Sequence, residues 1–368
     1  MKTLATDALL QSDPFDTSQA GKSLFLESFK ENALFHYKHH AFTHRLWNKL
    51  GFHPEMLVAE EDLALVPGTM VHLFKEHEFH SVPKDEIVLT LTSSGTGGQK
   101  SQQFLSRYSL DNVKKLALNI HRSLGMADSR EYNYLCFTYD PQVANDLGTA
   151  FTDELLTNFT GKKEVFYAIG WNEEKQDFEL NESETIKAFH RFADSGIPTR
   201  ILGFPALLFE IIEKYNLSLD LGVDSWLQTG GGWKGKADKE IPKHEFRDFI
   251  TKRLGIPGEH QRDLFGMVEH GIPYVDCEKG NLHIPNYARV FTRSPVDMSL
   301  LPVGEKGLLH FLCSYNYSYP APSLLTTDYG RVGKCDCSLG GNILFLEGRA
   351  GVSKHKGCAL KALELLRK

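Results

Sequence analysis

The sequence predicts an α/β protein with a mostly parallel sheet, flanking helices and a smaller β-rich subdomain. Two patterns predict it. Between about residues 131 and 232, short apolar runs alternate with amphipathic stretches of helical period, the signature of a parallel sheet with crossover helices. After about residue 270 the helical period fades and short strand-like runs separated by turn residues replace it. The bulk numbers agree with a soluble globular chain: 368 residues, 41% hydrophobic and 24% charged, enough for two domains or one with a satellite.

The elements follow in order. Residues 19–50 read as one helix ending at Gly51. His36, His40 and His44 share a face of it, read as packing or a solvated surface in preference to a metal site. "DEIVLTLT" (85–92) and "QQFLSRY" (102–108) read as strands of a hairpin. Residues 109–125 form an amphipathic helix with Ser109 as N-cap and Gly125 as stop. Strands at 131–139, 165–170, 199–204 and 225–232 then alternate with helices at about 143–158, 183–194 and 205–216, the last opened by Pro205. Segments 281–294, 306–315, 323–332 and 342–351 are the later strands, and 356–368 is helical again. The domain expectation is a helical region (1–84), an α/β core (85–269), a β-rich subdomain (270–347), and a hinge and helical tail (348–368).

Charge and composition exclude some functions. The net charge is −6 and no long basic run occurs, which argues against nucleic acid as a partner. No stretch reaches the ~18 apolar residues of a membrane span, and Asp7, Asp13 and Asp16 interrupt the N-terminus where a signal peptide would be apolar. Six cysteines are too few for a secreted disulfide scaffold, so a cytoplasmic protein with reduced thiols is expected.

"LTSSGTGGQKSQQF" (91–104) concentrates hydroxyls, bare amides and a lysine between the two hairpin strands. Such turns cradle phosphate oxygens. It is not a P-loop, because Ser94 and Gln99 occupy the required glycine positions, and a glycine turn without a ligand stays open as an alternative. Further pieces follow: glycines after a strand in "LQTGGGWKG" (227–235), Glu269 in "DLFGMVEHG", Asp328 in "LLTTDYGRV", and Arg349 in "LEGRAG". Singly they read as turn residues and a surface cation. In this order they point to one nucleotide.

The ordered series resembles the adenylate-forming superfamily of AMP-dependent acyl ligases, and "TSSGTGG", "TGGGWK" and "KHKGCAL" together look like its LuxE-type acyl-protein synthetases. Several positions depart from the superfamily pattern: Lys100 comes one place early with Ser101 in its usual position, Gly97 replaces a threonine, Val268 a threonine and Gly351 an aspartate. The resemblance implies ATP-dependent activation of a carboxylic (fatty) acid to acyl-AMP. Ser93, Ser94, Gly95, Thr96, Gly97, Gly98 and Lys100 would hold the phosphates. Gly230, Gly231, Gly232 and Phe265 would lie on the adenine side, and Asp328 would hold the ribose. Glu269 would position Mg²⁺, with Arg349 assisting. Only 17 residues (352–368) follow Gly351, too few for the large C-terminal domain usual in these ligases. In acyl-protein synthetases a cysteine near the C-terminus takes the acyl group, here Cys358, for delivery to an acyl-CoA-reductase-like partner. Its setting suits a thiolate: it opens a helical run among Lys354, Lys356 and Lys361. The alternatives are a shortened coenzyme A ligase of the phenylacetate type and a non-catalytic nucleotide-binding homologue.

A second constellation is Cys277-x5-His283 with Cys335-x-Cys337. Three thiolates and an imidazole suit a closed structural zinc site, whereas alternate strand positions and a surface histidine are the plainer reading. The same pairing resembles the Cys and His segments of the phenylacetate-CoA-ligase branch, which implies zinc.

Overall fold

The computed structural model describes residues 4–93, 101–141, 148–233 and 240–349. The N-terminal region holds α1 (Ala5–Leu9), α2 (Gln19–His39) and α3 (Ala41–Lys49). The single helix expected over 19–50 is broken at His40, whose backbone is extended (φ −120°, ψ 108°) and whose ring accepts from the Thr43 amide to cap α3. His36 is buried, bonded to Ser81 Oγ and the Asn316 carbonyl. These contacts explain two of the histidines as a cap and a packed core group.

Strand β1 (Thr69–Met70) and helix α4 (Leu73–Glu76) lead to the hairpin of β2 (Ile87–Thr92) and β3 (Gln102–Ser106). Helix α5 (Arg107–Ser123) starts earlier than expected, because Ser106 is its N-cap, accepting from the Ser109 amide. Ser109 Oγ instead receives the Tyr317 amide.

The larger sheet is assembled from β4 (Glu131–Tyr139), α6 (Gly148–Thr157), β5 (Gly161–Asn172), β6 (Asp177–Leu180), α7 (Glu182–Asp194), β7 (Thr199–Gly203), α8 (Pro205–Lys214), β8 (Trp226–Gly230), α9 (Lys243–Leu254), β9 (Gln261–Phe265) and β10 (Tyr274–Val275). Its order is β10-β9-β8-β7-β4-β5-β6, parallel inside and antiparallel at both edge pairs. Strand β4 is buried along nearly its whole length, because both faces are covered. Tyr134 and Cys136 enter the core shared with α5, while Leu135 and Phe137 enter the core under α7, α8 and α9. The sequence reading omitted α9 and β6. Phe246, Ile250 and Leu254 give α9 one buried stripe at four-residue spacing, and Gly255 ends it in the left-handed region.

The second sheet contains β11 (Leu282–His283), β12 (Ala288–Arg293), β13 (Gly307–Cys313), β14 (Ser323–Lys334) and β15 (Asn342–Arg349), in the order β11-β15-β14-β13-β12. These pairs are antiparallel, and β1 joins β14 in parallel. The N-terminal region thus completes the β-rich sheet. Among the described residues no helix is long and apolar enough to cross a membrane.

Candidate active site

In a parallel sheet the strand carboxyl ends leave a crevice where ligands bind. Strand β8 ends at Gly230, and Gly231 (φ +77°) and Gly232 (φ +64°) follow in the left-handed region, which glycine adopts without strain. Gly230 pairs with Leu264, so Phe265 lies beside it on β9. The Phe265 ring is steadied by Tyr274 and Phe311, with centroids 5.9 and 6.2 Å away. Thr229 Oγ1 ties the two strand ends by donating to Asp263 Oδ1 at 3.1 Å.

The phosphate-loop candidates divide. Ser93 is described and forms the stem: its amide donates to the Ser101 carbonyl, and its Oγ accepts from the Ser101 amide, both at 2.9 Å. Ser94, Gly95, Thr96, Gly97, Gly98 and Lys100 lie outside the described residues, as does Cys358.

Beyond the stem, Gln103 of β3 shares a crevice with Glu269, His270, Cys313, Tyr315 and Tyr319. Glu269 sits in the turn after β9, where the Gly271 amide donates to the Met267 carbonyl at 2.8 Å. It is only 7% exposed, and among the described residues its carboxylate has no hydrogen bond or ion pair. Its carboxylate is thus left open to the crevice. Val268 packs against the core.

The turn is matched to its surroundings. Gly271 has φ +72°, and a Cβ there would come 1.9 Å from Tyr315 Oη and 3.0 Å from Gln103 Nε2. Gln103 Nε2 donates to that same hydroxyl at 2.7 Å. Gly271→Ala is therefore expected to cost about 2–3 kcal/mol, from strain plus the displaced hydrogen bond, measured as a lower urea midpoint. An unchanged midpoint would contradict this packing.

Asp328 is 8% exposed on β14, its amide donating to Thr326 Oγ1 at 3.2 Å. Its register partner on β15 is Arg349. The structure thus forms three local groupings: the loop stem with the Glu269 crevice, Gly230 with Phe265, and Asp328 with Arg349.

Cys277, His283, Cys335 and Cys337 do converge. Their ligand atoms all lie within 4.8 Å of one another. Cys277 Sγ is 4.0 Å from Cys335 Sγ, and Cys337 Sγ is 3.1 Å from His283 Nε2. Zinc–sulfur bonds of about 2.3 Å place tetrahedral sulfurs about 3.8 Å apart, so the donor set fits zinc in type and spacing. A tight knuckle carries Cys277, with its amide donating to the Asn281 carbonyl and the Gly280 amide to its own. Asn281 Nδ2 donates to Cys335 Sγ at 3.4 Å. From α9, Lys243 meets the buried Asp276 carboxylate at 2.5 Å, and Arg247 donates to the Glu278 carbonyl at 3.1 Å. The knuckle is thereby fastened to the larger sheet.

A crevice wall that motif reading missed is "CSYNYSYP" (313–320). Asn316 Oδ1 accepts from the amides of Ser318 and Tyr319, and the Asn316 carbonyl accepts from Asn32 Nδ2 on α2. Ser318 Oγ receives the Ser106 amide. This loop joins the N-terminal helices to the hairpin and holds Tyr315 and Tyr319 against Glu269's crevice. Its alternating tyrosines were the available signal, but alternation also reads as strand.

The family model described as "Acyl-protein synthetase, LuxE" matches residues 2–366. The chain belongs to the LuxE acyl-protein synthetase family. As a LuxE-family member it is an acyl ligase. It is similar to the long-chain-fatty-acid–luciferin-component ligase of Vibrio harveyi, 25% identical over 317 residues, covering 82% of this chain and 78% of the relative. The Aliivibrio fischeri protein of the same name is 26% identical over 319 residues, covering 82% and 79%. Among solved structures, 2-hydroxyisobutyryl-CoA ligase in a postadenylation state superposes with TM-score 0.69 at 16% identity, covering 91% of this chain and 69% of that one. A long-chain-fatty-acid-CoA ligase from Archaeoglobus fulgidus gives 0.50 at 16% identity, covering 74% and 54%. The LuxE chain therefore has the fold of the adenylate-forming ligases.

Proposed function

We propose that this LuxE-family enzyme uses ATP to activate a long-chain fatty acid as acyl-AMP and then takes the acyl group on Cys358. A carboxylate oxygen of the acid attacks the α-phosphorus and pyrophosphate leaves. The Cys358 thiolate then attacks the acyl carbonyl and AMP leaves, giving a thioester for an acyl-CoA-reductase-like partner. The observation that carries this reading is Glu269, a buried residue whose carboxylate is bare among the described residues, in the crevice that β3 lines next to the stem of the 94–100 loop. A hard oxygen donor in that position suits Mg²⁺, which supplies neutralisation of the charge on the transferring phosphoryl oxygens.

The chain's own residues have separate tasks. The Ser93 hydroxyl and the amides and hydroxyls of Ser94, Gly95, Thr96, Gly97 and Gly98, with Lys100, hold the β- and γ-phosphates. Gly230, Gly231 and Gly232 let the adenine approach the backbone, with Phe265 behind them, and Asp328 accepts from the ribose hydroxyls. Arg349 adds positive charge. No general base is required, because a fatty carboxylate is already ionised at neutral pH. Cys277, His283, Cys335 and Cys337 would hold a structural zinc. With four protein ligands that ion has no open position for chemistry.

The test is fatty-acid-dependent exchange of labelled pyrophosphate into ATP, followed by mass spectrometry of the acylated chain. Exchange is expected, with a thioester on Cys358 that Cys358→Ser abolishes while exchange continues. Exchange that needs no Cys358 and turns over only with coenzyme A would replace this reading with a shortened coenzyme A ligase. Nucleotide binding without exchange would replace it with a non-catalytic homologue.

A further inference from the structure

We propose that the thiol cluster is also an oxidation site: a peroxide converts Cys335 and Cys277 to a disulfide, zinc is released, and adenylation is slowed. This rests on the zinc reading given above. The three thiols are not equally reachable. Cys277 is 0% and Cys337 9% exposed, whereas Cys335 is half-buried, in a turn where the Asp336 side chain is 89% exposed. An oxidant from solvent therefore meets Cys335 first. Cys337 Sγ is engaged by His283 Nε2 at 3.1 Å. That leaves Cys277 Sγ, 4.0 Å from Cys335 Sγ, as the thiol to meet an oxidised Cys335. Cys136 and Cys313 are buried away from the cluster.

The two arms of the cluster are joined by bonds that do not need the metal. Strand β11 pairs with β15, Leu282 opposite Leu344. The Ser338 amide donates to Glu278 Oε1 at 3.2 Å, and Lys279 Nζ meets Asp336 Oδ1 at 2.9 Å. Thiols held together in this way close on one another when oxidised. The Cys335 thiolate attacks a peroxide oxygen, the O–O bond breaks, and a sulfenic acid forms as hydroxide leaves. The Cys277 thiolate then attacks that sulfur, hydroxide leaves again, and the S–S bond forms. Two thiolates have lost two electrons, and the peroxide, with two protons, has become two waters. Thiolate is the ligating form, so zinc loses two of its four ligands. The change is passed on, because Asp276, next to Cys277, accepts from the Asp263 amide on β9 at 2.9 Å. Strand β9 leads into the Glu269 turn.

Full-length wild type purified with its zinc is titrated with hydrogen peroxide. Released zinc is read with a chromogenic chelator. Thiol states are mapped by mass spectrometry after cleavage between Cys335 and Asp336, which separates Cys335 from Cys337. Pyrophosphate exchange, the half-reaction that leaves Cys358 unused, is followed alongside. About one zinc should leave for each Cys277–Cys335 disulfide formed, with Cys136 and Cys313 still reduced. Exchange should fall in proportion to the disulfide, and dithiothreitol with added zinc should restore it. Zinc retained at peroxide levels that oxidise glutathione overturns the proposal. So does a Cys335–Cys337 disulfide, a sulfinic acid at Cys335 in place of any disulfide, or equal oxidation of Cys136 and Cys313, which marks unfolding. Exchange at the full rate in the disulfide form overturns the link to adenylation. Protein purified without zinc would overturn the metal reading, while the mapped disulfide still judges Cys277 and Cys335.

Discussion

Glu269→Gln should reduce fatty-acid-dependent pyrophosphate exchange by about two to three orders of magnitude, the range seen when one preorganised electrostatic group is removed. The substitution keeps the side chain's shape and removes its charge. In the folded protein Glu269 is 7% exposed as a residue and its carboxylate is bare among the described residues, so glutamine breaks no ion pair there and is tolerated by the fold. The variant is therefore expected to melt near the wild-type temperature while failing to activate the acid. That divergence marks a group whose role is chemical and not structural. Exchange at the wild-type rate would remove Glu269 from the mechanism, and a collapsed fold would make its role structural.

The second large effect concerns the thiol cluster. Protein purified without chelators should carry about one zinc per chain, and Cys335→Ser should lose it. Zinc held by such ligands contributes on the order of 10 kcal/mol in small domains, which for a chain of 368 residues is on the order of a 10 °C fall in melting temperature. The loss should be felt beyond the cluster, because Lys243 and Arg247 fasten its knuckle to α9 and β9 leads into the Glu269 turn. Absence of zinc by elemental analysis, together with an unchanged melt in Cys335→Ser, would leave the four residues as ordinary packing.

Much of the fold was legible because its signals are local. The period of α5, Pro205 opening α8, and the buried run of β4 each report a nearest-neighbour preference or a face. Where reading failed, a non-local partner decided. His40 lies in a helical pattern, but its ring caps α3 and the helix breaks. Ser106 took the cap expected of Ser109, whose hydroxyl is engaged by Tyr317 from 208 positions away.

The candidate site divides in the same way. The motif order singled out Glu269, Asp328 and the glycines after β8 from their residue types and their sequence along the chain. Gln103, Tyr315 and Tyr319 carried no such mark. A glutamine in a strand and tyrosines in an alternating run gain meaning only when β3, the 313–320 loop and the Glu269 turn are packed around one crevice.

By itself the sequence determined the chemistry on offer: hydroxyls and amides for phosphate, a carboxylate in a turn, three thiols and an imidazole. Only the tertiary structure decided which of these meet. Cys277 and Cys335 stand 58 positions apart in the chain and 4.0 Å apart in space. The physical reason is that residue type acts locally, whereas proximity across such separations is set by the pairing of strands and the burial of their shared faces.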